Sequence, residues 1–426
     1  MTFRLSLPAG GGWGTHKPHL TDRMLDQSPI QPSAATRGTA PAATERPLRA
    51  LHLLATLNLG GIETWLIEVM RHTSRDDLTI DVCTTRDDHG VYDEEFIALG
   101  GVIHRCPLHR NPWDFGRRLE QLLRRHRYDV VHSHLAYFSG FVLRSAAHAG
   151  VPIRVAHNHM TGDLVEAPGV LRPLYRYWMR RWIDKYCTLF VAVTSASLQS
   201  FWGSGWQTDS RKRVFYCGIS LERFRQVADR AAVRAELGLP AGARLILNVG
   251  RFISSKRQAI LVDVAGQVAA RRGDVYFVLI GAGPLQAEVE RAANTTGLSD
   301  IVRFVPAQPG IERFWLAADA FAFPSVSEGL PIVIIEAAAA GLPIVAYDIP
   351  GVHEAAEASS SATLLPLDAT TGDWASAIFD ALDRPLLSYV DRKEMLDRFP
   401  FSIEASIQSL KRLYGLRSST SKESSL

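Results

Sequence analysis

The chain has 426 residues, of which 46% are hydrophobic, with a formal net charge of +3 and four cysteines. That length accommodates two or three domains with large cores, and the apolar fraction is ordinary for a globular protein. Cys83, Cys106, Cys187 and Cys217 form no Cys-x-x-Cys pair, which argues against a disulfide framework or a zinc site and predicts reduced thiols in a cytosolic setting. No uninterrupted apolar run is long enough to span a bilayer, and the first residues lack the apolar core of a signal peptide.

Residues 1–45, rich in Gly, Pro, Ala, Ser and Thr, are expected to be a disordered leader. Leu48 to Ala55 then reads as a buried parallel strand, and Asn58-Leu59-Gly60-Gly61 turns into a helix starting near Ile62. Gly60 and Gly61 allow backbone to approach a phosphate at that helix N-terminus. A Gly-x-Gly-x-x-Gly fingerprint is missing, which argues against a nicotinamide enzyme. Further strands are predicted at Thr79 to Thr84, Val102 to Cys106, Val130 to His132, Ile153 to His157 and Leu189 to Thr194, alternating with helices such as Phe115 to Arg127. This alternation predicts parallel sheets covered on both faces, with ligands at the carboxyl ends of the strands. His134 stands at one such end and His157 and His159 at the next. The latter two are candidates for hydrogen bonding an acceptor; as a metal site they lack an evident third ligand.

Arg172, Arg176 and Arg180 recur at helical spacing between Leu171 and Tyr186, alternating with Tyr175, Trp178 and Trp182. Such a helix suits an anionic membrane interface, or else buries its aromatics in the core. Arg46 to Arg213 holds 22 Lys/Arg against 17 Asp/Glu, or +5, whereas the chain from Cys217 holds 21 against 24, or −3. The basic half hints at an anionic surface, a membrane rather than nucleic acid, with a chance imbalance of solvated faces as the competing reading.

The second half restarts with a strand at Leu245 to Val249, followed by Gly250, Arg251 and, five residues on, Lys256. Two cations at the end of a first strand suit phosphate oxygens. Strands are predicted at Val275 to Ile280, Arg303 to Val305, Phe321 to Ser325 and Leu342 to Tyr347, and closing helices at Trp374 to Leu382 and Ile403 to Leu413. Between them Glu328-Gly329-Leu330-Pro331 feeds a short apolar helix that ends at Gly341. Glu336 is the one charge on that helix and should be buried with it, with neighbouring backbone as the simplest source of its partners. Glu328 lies at the same helix end, beside N–H groups that suit an anion.

Glu-Gly-Leu-Pro-x4-Glu-Ala-x-Ala-x-Gly-x-Pro-Ile-Val-Ala, with Glu328 and Glu336 enclosing seven residues, resembles the signature of the retaining glycosyltransferases of the GT-B fold, family four. The resemblance covers roughly Leu48 to Leu413 and is densest in the second half. It implies an α/β architecture of two doubly wound Rossmann-like domains facing across a cleft. The implied divisions are an acceptor-side domain at 46–218, a donor-side domain at 219–398, a closing helix at 399–415 returning to the first domain, and a disordered tail at 416–426. It also implies the roles of residues: Glu328 at the donor sugar, Glu336 at the nucleotide ribose, Gly250, Arg251 and Lys256 at the diphosphate, and the Gly60-Gly61 loop with Glu63 at the same diphosphate. His134 would lie beside the donor sugar, and Val305 would hold the base through backbone groups. Gly329 and Leu330 would offer N–H groups to the leaving oxygen. No catalytic metal or other cofactor is implied beyond the nucleotide sugar as co-substrate. Val214 to Phe224 resembles the interdomain crossover, with Cys217 and Ser220 in place of the usual Asn and Asp. The activity implied is sugar transfer with retention onto a glycan or lipid-linked acceptor at the inner membrane face. The alternatives are a nucleotide-sugar epimerase of the same fold and a catalytically silent donor-binding partner.

Overall fold

The computed structural model describes residues 46–109, 111–161, 171–399 and 401–416; the expected leader, and the tail beyond residue 416, lie outside the described residues. Two wholly parallel sheets organise the rest. The first has seven strands in the order β3-β2-β1-β4-β5-β6-β7, formed by β1 (Leu48–Leu54), β2 (Leu78–Thr84), β3 (Ile103–Arg105), β4 (Val130–Ser133), β5 (Ile153–Asn158), β6 (Leu189–Ala192) and β7 (Lys212–Val214). The second has six in the order β10-β9-β8-β11-β12-β13, formed by β8 (Arg244–Val249), β9 (Val275–Gly281), β10 (Val302–Pro306), β11 (Ala320–Phe323), β12 (Ile344–Tyr347) and β13 (Ala362–Leu365). Central strands such as β1, β8 and β11 are apolar along most of their length because helices cover both faces. Two short strands, β7 and β13, are additions to those expected from the sequence; each lies at a sheet edge, half-buried.

Strand order reverses between β1 and β4 in the first sheet and between β8 and β11 in the second. At such a reversal the helices following the two strands leave toward opposite faces, opening a crevice at their carboxyl ends. Both crevices receive the residues singled out above: Gly60, Gly61 and His134 in the first, and Arg251, Lys256 and Glu328 in the second.

The halves also touch directly. At Gly218 an added Cβ would lie 2.1 Å from the Ser402 carbonyl oxygen, and Ile219 bridges Ser402 as a parallel pair. The crossover thus runs against the segment that opens the last helix, Ile403–Leu413. That helix packs on Gly61–Arg71 of the first half, where Trp65 Nε1 donates to Ser406 Oγ at 2.9 Å, and its Lys411 Nζ reaches Asp77, just before β2, at 2.6 Å. Farther round the contact, Glu354 accepts from the Tyr216 hydroxyl at 2.6 Å and the Ser195 N–H at 3.2 Å. All four cysteines are buried and free.

Candidate active site

The Glu-Gly-Leu-Pro turn leaves the end of β11 and caps Ile332–Ala339 with Pro331, whose ring fixes the backbone entering the first turn. Gly341 closes the helix with φ of +74°, a conformation open to glycine at little cost. Glu328 receives both the Lys256 ammonium and the Ser325 hydroxyl. Lys256 comes from the turn after β8 and sits 5.0 Å over the Phe323 ring. Partly buried on both sides, this pair holds a cation and a carboxylate side by side at the second reversal point. Arg251 is exposed at the same strand end, and the Gln258 amide ties down its carbonyl at 2.9 Å. The backbone N–H groups of Gly329 and Leu330 have no partner among the described residues.

Glu336 is held one turn inside the helix, its side chain 12% exposed. Burial pushes its carboxyl up to about 7, an effect moderated by Arg223 and reinforced by Glu312. The Arg223 guanidinium lies 3.8 Å from Glu336 and pairs closely with Glu312. Side chains, not backbone alone, therefore balance Glu336. Arg223 and Glu312 escape sequence reasoning because they lie 113 and 24 residues away; a cation next to the crossover segment was the one available signal. Val305, half-buried in β10, stands near the end of the edge strand, two places from β8.

Across the gap, Gly61 faces this helix: a Cβ there would lie 3.3 Å from Ile332 Cγ1. Glu63 folds back over Gly60, where a Cβ would come within 2.4 Å of its carboxylate. Its pKa is raised chiefly by burial, against the opposing pull of Arg251. Gly329 abuts the end of β5, since a Cβ there would meet the His159 carbonyl oxygen at 2.1 Å. The Gly60-Gly61 turn and the end of β5 thus face the Glu328 loop and its helix across the gap.

Under the first crevice the structure gathers five imidazoles. His-x-His at the end of β4 and again at the end of β5 places alternate side chains on one sheet face, and His52 of β1 joins them because it is in register with His132. His134 bonds to His52 Nδ1 at 3.0 Å through Nε2 and to His159 Nε2 at 2.8 Å through Nδ1. His132 bonds to His157 Nδ1 at 3.1 Å and to the Tyr414 hydroxyl at 2.7 Å, and that hydroxyl also meets His52 Nε2 at 3.0 Å. Burial depresses all five; His52 and His159 fall to about 3, and His132, His134 and His157 are lowered further by neighbouring imidazoles. They are neutral at physiological pH. His134 stands where the sequence places it, yet both its ring nitrogens are engaged by other histidines. The third nitrogen missing from the His157/His159 pair in the sequence is present in space: it belongs to His134.

The helix Arg172–Tyr186 buries Met179 and Ile183 but leaves Leu171, Leu174, Tyr175, Tyr177 and Trp178 from 44% to 75% exposed. Its aromatic residues are thus divided between solvent and packing. With Trp202 and Lys212 it borders an open groove of about 750 Å³. No helix among the described residues is long and apolar enough to cross a membrane.

Two facing parallel sheets, with a glycine turn over neutral histidines at one reversal point and a lysine–glutamate pair at the other, have the architecture of the GT-B glycosyltransferase class. The chain belongs to the group 1, family 4 glycosyltransferases: residues 59–223 match the Glycosyltransferase Family 4 model and residues 229–394 that of Glycosyl transferases group 1. It is 31% identical over 384 residues to a putative glycosyltransferase, EpsF, of Bacillus subtilis, covering 88% of this chain and 98% of the relative. A capsular polysaccharide biosynthesis glycosyltransferase, CapH, of Staphylococcus aureus is 22% identical, with 86% and 98% covered. Among solved structures, Anabaena HepE in complex with UDP and glucose superposes with a TM-score of 0.70 at 18% identity, over 86% of this chain and 99% of that one.

Proposed function

We propose that the chain moves a sugar from a nucleotide-sugar donor to a hydroxyl of a glycan or lipid-linked acceptor, with retention at the anomeric carbon. Residues 219–398 form the donor side and 46–218 the acceptor side. The observation that carries the reading is the Lys256–Glu328 pair at the β8/β11 reversal, facing the Gly60-Gly61 turn of the other sheet. Lys256, Arg251 and the Gly329 and Leu330 N–H groups take the diphosphate; Glu328 takes sugar hydroxyls and Glu336 those of the ribose. No carboxylate is placed as an evident nucleophile, so a front-face displacement fits best. The bond from the anomeric carbon to the diphosphate oxygen breaks, the acceptor oxygen bonds from the same side, and its proton passes to the departing phosphate. The cations stabilise charge developing on that oxygen, while contact between the halves excludes water. His134 lies toward the donor sugar and His157 and His159 toward the acceptor, and the likeness to a capsular polysaccharide biosynthesis glycosyltransferase supports a surface glycan or its lipid-linked precursor as acceptor.

Thermal-shift measurements against UDP-, GDP-, ADP- and CMP-sugars are expected to single out one donor, and NMR of the product to show the donor's anomeric configuration preserved. A product of inverted configuration would rule out the front-face route, and no stabilisation by any nucleotide sugar would rule out the donor site.

Docking on the inner membrane face would bring a lipid-linked acceptor to the first half. The exposed Leu174, Tyr177 and Trp178 beside Arg172 and Arg181 support an interfacial role. Vesicles containing anionic lipid are expected to sediment the wild-type chain, with binding weakened in Tyr177→Ala/Trp178→Ala and by added salt. Equal sedimentation with neutral and anionic vesicles would exclude the electrostatic part.

A further inference from the structure

The five-histidine cluster is more than the proposed transfer reaction uses. Its hydrogen bonds form one chain, His159–His134–His52–Tyr414–His132–His157. A neutral imidazole has one N–H and one lone pair. The chain can therefore be satisfied link by link in either direction. The chain has two free ends, Nδ1 of the half-buried His159 and Nε2 of His157; the latter, on a residue 1% exposed, is buried without a partner among the described residues. A buried nitrogen without a partner is costly.

We propose that His134, His157 and His159 form a binding site for a late first-row divalent cation, Zn²⁺ or a neighbour such as Co²⁺ or Ni²⁺. One nitrogen from each of the three already lies within 4.8 Å of the others, and the His157 and His159 ring centroids are 3.9 Å apart. With His157 Nδ1 held by His132, Nε2 is the nitrogen that faces a ligand. Tetrahedral coordination at a Zn–N distance of about 2.0–2.1 Å sets ligand nitrogens about 3.3 Å apart. His134 Nδ1 and His159 Nε2, at 2.8 Å, would then separate by about half an ångström.

The remaining bonds become the outer shell that oriented metal-binding imidazoles have. His134 donates through Nε2 to His52, which donates to the Tyr414 oxygen; His157 donates through Nδ1 to His132, which donates to the same oxygen. A hydroxyl oxygen has two lone pairs and accepts both, so the unused donor moves from the histidine chain to the buried Tyr414 O–H, whose two partners among the described residues are His52 and His132. The cation closes into a ring a chain that otherwise ends on an orphan. Three uncharged imidazoles suit zinc and its neighbours over Mg²⁺ or Ca²⁺, which prefer oxygen. Trp65 and Phe215 edge the cluster, at 6.3 Å and 5.3 Å from His157, giving it an apolar wall. Three protein ligands leave one coordination position for water or a substrate hydroxyl. Gly329 rests on the His159 carbonyl, so an ion held by the His159 ring would stiffen the residue under the Glu328 loop.

The test uses the full chain, stripped with a chelator and dialysed. Titration with Zn²⁺ by calorimetry, and with Co²⁺ followed by visible absorption, is expected to show one equivalent bound, a tetrahedral cobalt spectrum and a rise in Tm. His159→Ala and His157→Ala are expected to abolish all three signals, and His52→Ala to weaken binding about 10- to 100-fold through the outer shell. His89→Ala, which alters an exposed imidazole elsewhere, should bind as wild type. Should the buried His157→Ala fail to fold, the half-buried His159→Ala and the wild-type cobalt spectrum still decide. Absence of tetrahedral cobalt absorption in the wild type, or binding unchanged in His159→Ala, would overturn the proposal.

Discussion

Replacing Lys256 with Ala is expected to lower kcat/KM for sugar transfer by about 100- to 1000-fold, the usual consequence of removing one preorganised group from a site of developing negative charge. Without donor, the ammonium is held between Glu328 and the Phe323 ring, so it is already desolvated and aimed when diphosphate arrives. Such preorganisation makes a single cation worth more here than on an open surface. The assigned roles separate in binding experiments. Lys256→Ala should weaken both nucleoside diphosphate and nucleotide sugar, because both carry the diphosphate. Glu328→Gln should weaken the nucleotide sugar and leave the nucleoside diphosphate nearly unchanged, because the contact it loses is to the sugar. Lys256→Arg keeps the charge but replaces a point donor with a planar fork that fits the Glu328 pocket poorly, so partial recovery is expected. Equal losses of both ligands in both variants, tracking a common fall in Tm, would reduce the pair to a structural ion pair.

The strands that carry this site were legible because each is a short apolar run stopped by Gly, Pro or a polar turn. Leu48 to Ala55, Leu245 to Val249 and Leu342 to Tyr347 all fall on strands of the structure. Parallel sheets bury both faces, and the resulting run of Leu, Ile and Val is easily seen. The edge strands β7 and β13 were missed because half-burial leaves them short and mixed in composition. Within the candidate site, local spacing together with the family resemblance singled out Glu328, Glu336, Gly60 and Gly61. What it concealed were partners brought in by tertiary packing, such as Arg223 and Glu312 around Glu336 and Tyr414 among the histidines. The histidine cluster was half visible. Two His-x-His pairs at successive strand ends imply rings on a shared face, but that inference requires knowing that β4 and β5 are adjacent and in parallel register. Likewise, helical periodicity in Leu171 to Tyr186 was plain, whereas which of its aromatics face solvent depended on the helices packed against it.

Replacing Glu336 with Gln is expected to stabilise the ligand-free protein at pH 8 by up to about 3 kcal/mol and to change it little at pH 5. The sign follows from a carboxyl raised by burial from 4.5 to about 7. Below pH 4.5 both folded and unfolded chains hold the proton, and Glu336 has no pH-dependent effect. Between pH 4.5 and 7 the unfolded chain releases its proton while the folded chain keeps it, so stability falls as pH rises and levels off above pH 7. Gln does not titrate and avoids that loss, while Arg223 retains Glu312 as a partner. Binding should move the opposite way, since ribose hydroxyls donate to a carboxylate more strongly than to an amide, and nucleotide affinity should fall about 10- to 100-fold in the variant. Accepting those bonds also favours the ionised form. Nucleotide binding by the wild type should therefore release a proton near pH 6, seen as a calorimetric enthalpy that varies with the ionisation heat of the buffer, and Glu336→Gln should show none. Parallel Tm–pH curves for the two proteins would place the titrating group elsewhere. A buried carboxylate that weakens the empty fold at neutral pH and accepts ribose hydroxyls, as proposed for Glu336, would couple donor binding to the stability of the helix that carries it.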